Sequence, residues 1–375
     1  MSVLSRSLLI MLLVCAFVVN AEPDRIAGMT DRLETSSPIF ENPQNSLFLD
    51  ITRAGSKLVA VGERGLILVS GDEGRSWTQA DVPVATTLAA VHFVDDQIGW
   101  ACGHSGVVLN SSDGGRSWHV QFDGRAANQA VLAEAEAKVK RLQDDLLRAP
   151  DAEKADLEWA LEDAQFALED ARLDVSLGPT KPMLDVWFRN RKEGYVIGAY
   201  GYFFGTQDGG ATWQNYAGRL ENFDRYHLNA IASLGDGTLM IVGEAGQMFA
   251  SYDQGEYWET LYGPYQGSLF GIQTLAENGS ALVFGLRGHV FKTPNGGGSW
   301  QGIEVPVETT LSAADQDGQN VTLVGFSGVV LESVDGGNSF RTRRLDRLES
   351  YNAVAHLSSG ELLIASENGL RLTKP

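Results

Sequence analysis

The sequence lacks the features that mark several protein classes. It has two cysteines in 375 residues, Cys15 and Cys102. Cys15 falls inside an N-terminal leader, so the mature chain has no pair for an internal disulfide and must be stable through its core alone. Cys102 lies in the strand-like stretch GWACG and reads as a small buried hydrophobe. Positive charge is also scarce: 29 Lys and Arg stand against 48 Asp and Glu, a formal net charge of −19. That balance argues against a nucleic-acid or anionic-membrane surface and favours solubility or a basic partner. Beyond the leader, no apolar run approaches the ~20 residues of a membrane-spanning helix. The histidines, His92, His104, His119, His227, His289 and His356, show no metal-ligand spacing, so no metal is expected. The glycine-rich turns are not followed by helices, so no phosphate loop and no cofactor is expected either.

The leader itself is an apolar run at residues 8–19 behind Arg6, followed by small Ala21. It reads as a secretory signal peptide over residues 1–21 and predicts a periplasmic protein with no membrane insertion after cleavage. Bulky Val14 ahead of Cys15 does not suit a lipid-attachment box.

What is present is repetition. One pattern, S/T-x-D/N-x-G-x-S/T/Y-W/F, occurs six times: SGDEGRSW, SSDGGRSW, TQDGGATW, SYDQGEYW, TPNGGGSW and SVDGGNSF. The polar residue of each copy (Asp72, Asp113, Asp208, Asp253, Asn295, Asp335) can accept backbone N–H bonds inside a tight turn. The glycine supplies the positive φ, and the closing ring (Trp77, Trp118, Trp213, Trp258, Trp300, Phe340) packs back onto the strands. These roles are structural and need neither metal nor substrate. A second landmark runs in phase: VGERG, CGHSG, IGAYG, VGEAG, FGLRG, VGFSG and ASENG. Successive landmarks are about 42 residues apart, with one insertion of roughly 53, a period in the range of propeller blades.

Each unit orders four short strands around these two turns, which predicts an all-β fold, a seven-bladed β-propeller over residues 22–375. The seventh unit ends after three strands. Counting back from the first unit nominates residues 36–43, SSPIFENP, as its missing outer strand, a pairing that would close the ring. Residues 125–177 interrupt the pattern between units two and three. They lack glycine up to residue 177 and carry apolar residues in a 3–4 alternation, at Leu132, Ala135, Val139, Leu142 and Leu146, then at Leu157, Leu161, Ala164, Leu168, Ala171 and Val175. This predicts an antiparallel α-helical hairpin with coiled-coil spacing, broken at Pro150 and capped by Asp151, on the face of the Gly-x-x-Gly turns.

The phased repeat resembles the BNR or Asp-box propellers and is most similar to the photosystem II assembly and stability factor family. The resemblance covers about residues 36–375 apart from the insert. It implies a binding scaffold that assists a membrane protein; for an exported relative in a non-photosynthetic bacterium the implied partner is a transporter of the RND superfamily. No catalytic residue is expected. Candidate partner contacts are Arg64 and Arg287, which occupy the same place in two Gly-x-x-Gly turns, and Leu142, Leu146 and Trp159 on the hairpin. The alternative is a sialidase-like glycosidase or a carbohydrate-binding propeller, since sialidases share the Asp turn. That chemistry needs an arginine cluster with a Tyr–Glu pair, and SSPIFENP has no arginine where those enzymes carry one; Tyr200, Glu244 and Tyr265 read as surface and strand residues.

Overall fold

The computed structural model describes residues 31–343, 345 and 348–373; the proposed leader lies outside them. The described residues form seven antiparallel sheets, six of four strands and one of three, each built from consecutive strands. The first sheet shows the plan, with Phe48–Ala54, Lys57–Gly62, Ile67–Ser70 and Thr78–Gln79 pairing in that order. Second strands such as Gly99–Gly103 and Leu239–Gly243 are buried along their whole length, which is why they read as unbroken apolar runs while the outer strands are polar.

The sheets meet through their first strands, which begin with a bulge. Register shifts between Phe48 and Asp50, Leu228 and Ala230, Leu311 and Ala313, and Tyr351 and Ala353 leave one residue unpaired. In three of these the unpaired residue bonds to the next sheet. Asn229 donates to the Leu269 carbonyl at 2.8 Å, Ser312 to Tyr351 at 2.5 Å, and Asn352 to Phe48 at 2.9 Å. The last of these joins the seventh sheet to the first. Arg53 adds a bond to the His356 carbonyl at 2.7 Å. Phe48, Ile51, Leu58 and Leu68 share one apolar cluster with Ala353, Leu357 and Leu363, so the series returns to its start.

Residues 36–43 do not form the outer strand of the seventh sheet, which keeps three strands, Tyr351–His356, Leu362–Ser366 and Gly369–Thr373. The segment runs instead along the outer side of the first sheet: Ser37 N–H donates to the Val82 carbonyl at 2.9 Å. The Gln79 amide stands in for a strand, accepting from Phe40 N–H at 3.2 Å and donating to the Pro38 carbonyl at 2.7 Å. Pro38 and Pro43 have no N–H to give to a ladder, which disfavours a regular strand here. Phe40 then packs into the cluster shared by the first and seventh sheets, so the segment covers their junction without extending either.

The insert folds into two helices, α1 (Gly124–Arg148) and α2 (Asp151–Leu177). Asp123 caps α1, its carboxylate accepting from Arg125 N–H at 2.9 Å and Ala126 N–H at 3.1 Å. Asp151 does not cap α2 as expected: it is the first helical residue, behind Pro150, whose fixed φ suits a helix entry but which has no side-chain acceptor. Asp151 instead pairs with Lys154 at 2.7 Å. The anticipated rows meet between the arms, where Val139, Ala164 and Leu168 are buried with Leu132, Ala135, Leu142 and Leu161 around them.

Candidate functional site

The two kinds of turn have distinct geometry. In the second Asp turn, Asp113 Oδ1 accepts from the backbone N–H of Arg116 and Ser117 at 3.0 Å, and the Ser117 hydroxyl donates to Oδ2 at 2.7 Å. These bonds hold its carboxyl below the usual range although partial burial pushes the other way. Asp208 and Asp253 are lowered in the same manner, Asp72 is held at about 2 by Ser76 foremost, and Asp335 is depressed by the hydroxyls of Ser333 and Ser339. Asn295 repeats the arrangement without charge, accepting from Ser299 N–H at 2.9 Å. The rings are not equivalent. The indole N–H groups of Trp77, Trp118 and Trp258 donate to the turn carbonyls of Gly74, Gly115 and Gly255 at 3.0–3.2 Å, whereas those of Trp213 and Trp300 are buried without a partner. Phe340 has no such donor to place and packs as a half-buried ring.

The Gly-x-x-Gly turns reverse the chain between second and third strands. In the first, Leu66 N–H donates to the Glu63 carbonyl at 2.9 Å around two residues with positive φ, Arg64 at 52° and Gly65 at 75°, the mirror-image turn that matches strand twist. A Cβ on Gly62 would lie 2.0 Å from the Leu47 carbonyl oxygen and one on Gly65 equally close to that of Val84, so both glycines are required by close approach. The second of the two residues between them is left exposed at the tip in several sheets, among them Arg64 in the first, Tyr200 in the third and Arg287 in the fifth. Arg64 lies over the Phe40 ring at 5.9 Å, and Arg287 lines an open depression of about 880 Å³ with His289, Glu304 and Glu308. The two arginines are on the first and fifth sheets and are not brought together.

The hairpin rises from this face, and its root is clamped. Ala127 is fully buried in a cluster with Tyr202 and Phe204 of the third sheet and Phe122 of the second. Asn128, 3% exposed, donates through Nδ2 to the carbonyls of Asp174 at 2.8 Å and Gly178 at 3.0 Å, and its Oδ1 accepts from the Tyr202 hydroxyl. One side chain thus joins the start of α1, the end of α2 and the third sheet. Burial, with the Asp174 charge, pushes the Tyr202 phenol well up, so it stays a donor. Lys181 pairs with Asp174 and lies 5.4 Å from the Tyr200 ring and 5.1 Å from that of Tyr202. Farther out, Asn215 donates to Glu134 at 2.7 Å and Arg225 meets Asp170 at 3.4 Å.

Of the hairpin contacts expected from sequence, Leu142 is half-buried beside the cluster between the arms and Leu146 is half-buried near the hairpin's tip. Trp159 is 74% exposed. Sequence reading missed its companions Phe166, Leu173 and Leu177, whose signal was a seven-residue spacing set beside the inward row, and it missed Asn128, a polar residue with no motif around it. Tyr200 and Glu244, from adjacent sheets, converge on His227: its Nδ1 accepts from Tyr200 N–H and lies 3.3 Å from Glu244. Tyr265 stacks on His289 with centroids 4.2 Å apart. Two cavities are each lined by a pair of arginines: Arg189 and Arg219 donate to the carbonyls of Gln254 and Gly255 at 2.7 and 2.8 Å and so hold the fourth Asp turn, while Arg341 and Arg343 both pair with Glu332. Among the described residues no cluster of His, Cys, Asp and Glu is placed to hold a metal ion, and no helix is long and apolar enough to cross a membrane.

Comparison with known proteins identifies the repeat. A family model described as photosynthesis system II assembly factor YCF48 matches residues 69–138 and 169–304, more than half of the chain. The chain belongs to the YCF48 family. The gap between the matched segments is the distal part of the hairpin, α1 after residue 138 and α2 before residue 169. A curated relative, the photosystem II assembly lipoprotein Ycf48 of Synechococcus sp. (strain CC9902), is 30% identical over 120 residues, 32% of this chain. The chain spans 35% of the length of that relative. Among solved structures, YCF48 bound to D1 peptide superposes with a TM-score of 0.58 at 15% identity, covering 89% of this chain and 95% of that one. YCF48 from Cyanidioschyzon merolae gives 0.58 at 14%, covering 90% and 97%. The WD40 β-propeller domain of Doa1 gives 0.58 at 11%, covering 91% and 95%. At these identities the likeness establishes the fold, a β-propeller with an inserted helical hairpin.

Proposed function

We propose that this chain is a non-enzymatic scaffold, exported to the periplasm, that holds part of a membrane protein complex during its assembly. The family it belongs to is one of assembly factors, and one of its structural relatives is bound to a D1 peptide. The observation that carries the reading to this chain is the clamp at Asn128: a rod whose root is fixed by Tyr202 and by the end of α2 is held at a set angle over the Gly-x-x-Gly face, as a docking element requires and a loose decoration does not. In this reading the seven sheets are seven blades of one ring, and the client is a membrane protein for which an RND-superfamily transporter is the first candidate. The test is replacement of residues 125–177 by a short Gly/Ser linker. The propeller should stay folded and the client should no longer co-purify from membranes; co-purification at wild-type yield would reject the hairpin as the docking element.

A further inference from the structure

α2 has two opposed apolar rows. One faces α1 through Leu161, Ala164, Leu168 and Ala171. The other is Trp159, Phe166, Leu173 and Leu177, exposed to 74%, 62%, 56% and 60%. At about 3.6 residues per turn, spacings of seven, seven and four bring these four into one narrow strip on the far side from α1. Nothing among the described residues covers it. The strip has unlike edges. Along one, Asp163 lies 3.9 Å from Lys138 and Asp170 3.4 Å from Arg225, so this chain supplies the cations. Along the other, Glu158, Glu162 and Glu169 are exposed and have no ion-pair partner among the described residues. α2 as a whole carries nine carboxylates against two cations.

We infer that this strip is a docking surface for a basic amphipathic helix of a partner protein, one with apolar residues at heptad spacing and Lys or Arg on the side that meets Glu158, Glu162 and Glu169. A helix is the matching shape, because a row of period seven presents knobs about 10 Å apart to a seam of the same period. The charge selects the partner: a second copy of α2 would bring carboxylates against carboxylates, whereas a basic edge neutralises them. The clamp at Asn128 holds the strip at a fixed angle, and Arg225 brings the loop of Phe223, 88% exposed, beside it. Trp159 and Phe166 lie in the part of the hairpin that the family model does not match, whereas Leu173 and Leu177 lie within a matched segment. The inference rests on the scaffold reading above and names the kind of segment its hairpin takes.

The test titrates the full chain with two synthetic helical peptides of the same heptad pattern, one of Leu and Lys and one of Leu and Glu, following calorimetric heat. The Leu/Lys peptide should bind and the Leu/Glu peptide should not. Glu162→Gln with Glu169→Gln should weaken binding at least tenfold at low salt. Phe166→Ser with Leu173→Ser should abolish it while circular dichroism and melting stay unchanged, since both side chains are exposed. Protein carrying the Gly/Ser linker in place of the hairpin controls for attraction to the acidic ring and should not bind. Equal binding to the serine variant or to the linker protein overturns the inference, as does equal binding of both peptides. A concentration-dependent dimer lost in the serine variant assigns the strip to a second copy and also overturns it. Each of these outcomes leaves the scaffold reading to its own co-purification test.

Discussion

The Tyr202 hydroxyl donates to Asn128 Oδ1, and through that bond a propeller sheet grips an inserted helix at its first turn. The Asn128 amide passes the grip to the last turn of α2. Removing it leaves the buried Tyr202 phenol without its acceptor and takes one of two donors from each of the Asp174 and Gly178 carbonyls, which keep the N–H of Gly178 and of Thr180.

Asn128→Ala should therefore destabilise the hairpin by about 1–3 kcal/mol, the cost of unsatisfied buried polar groups. Hydrogen exchange should quicken at the root of both helices while the ring amides stay protected. Unchanged exchange at residues 174–178 would show that the root does not depend on this side chain.

The two classes of tryptophan should separate under mild substitution. Trp118 is 6% exposed and bonded to the Gly115 carbonyl, whereas the Trp300 N–H has no partner. Trp118→Phe should cost about 1 kcal/mol more than Trp300→Phe, the worth of one hydrogen bond. Trp118→Ala should cost about 3–5 kcal/mol as a core truncation. Urea denaturation of the variants measures both differences.

Stability should depend on pH through Asp50 and Asp185. Burial pushes both carboxyls from 3.8 up to about 7, and the charge of Asp50 adds to the rise at Asp185. Each carboxyl accepts a backbone N–H from the next sheet, Val91 at 2.9 Å and Ile231 at 2.8 Å, which limits the rise. A carboxyl that binds its proton more tightly when folded contributes stability below pH ~4, and that contribution is lost as pH climbs toward about 7. Asp50→Asn with Asp185→Asn should accordingly melt closer to wild type, or above it, at about pH 8 than at about pH 5. Both residues keep some solvent contact, so the shift should be modest. A melting difference that is the same at both pH values would remove these groups from the account.

Phe40 tests the junction of the first and seventh sheets. Its half-buried ring lies in their common cluster, so Phe40→Ala should cost about 1–2 kcal/mol by area. If residues 36–43 cover the junction without extending a sheet, the strand amides at 369–373 should exchange as in wild type. Faster exchange along that whole strand would restore an outer-strand role.

The phased repeat, the strand order within each unit and the hairpin were all legible in the amino-acid sequence, because turn chemistry and apolar periodicity are local properties read over a few residues. Asp113 must be followed by a residue of positive φ, and Leu161, Ala164 and Leu168 must share a helix face wherever the helix lies. Tertiary structure alone decided the rest. Whether residues 36–43 extend the seventh sheet or lie along the first turned on the Gln79 amide, about forty residues away, which pairs with the Phe40 N–H and the Pro38 carbonyl. How the hairpin's root is held also came from tertiary structure alone, because Asn128 and Tyr202 lie 74 residues apart and have nothing in common in sequence. Short-range chemistry sets the elements; the choice among surfaces they can bury is made by partners distant in the chain, and no window of sequence contains both sides of that choice.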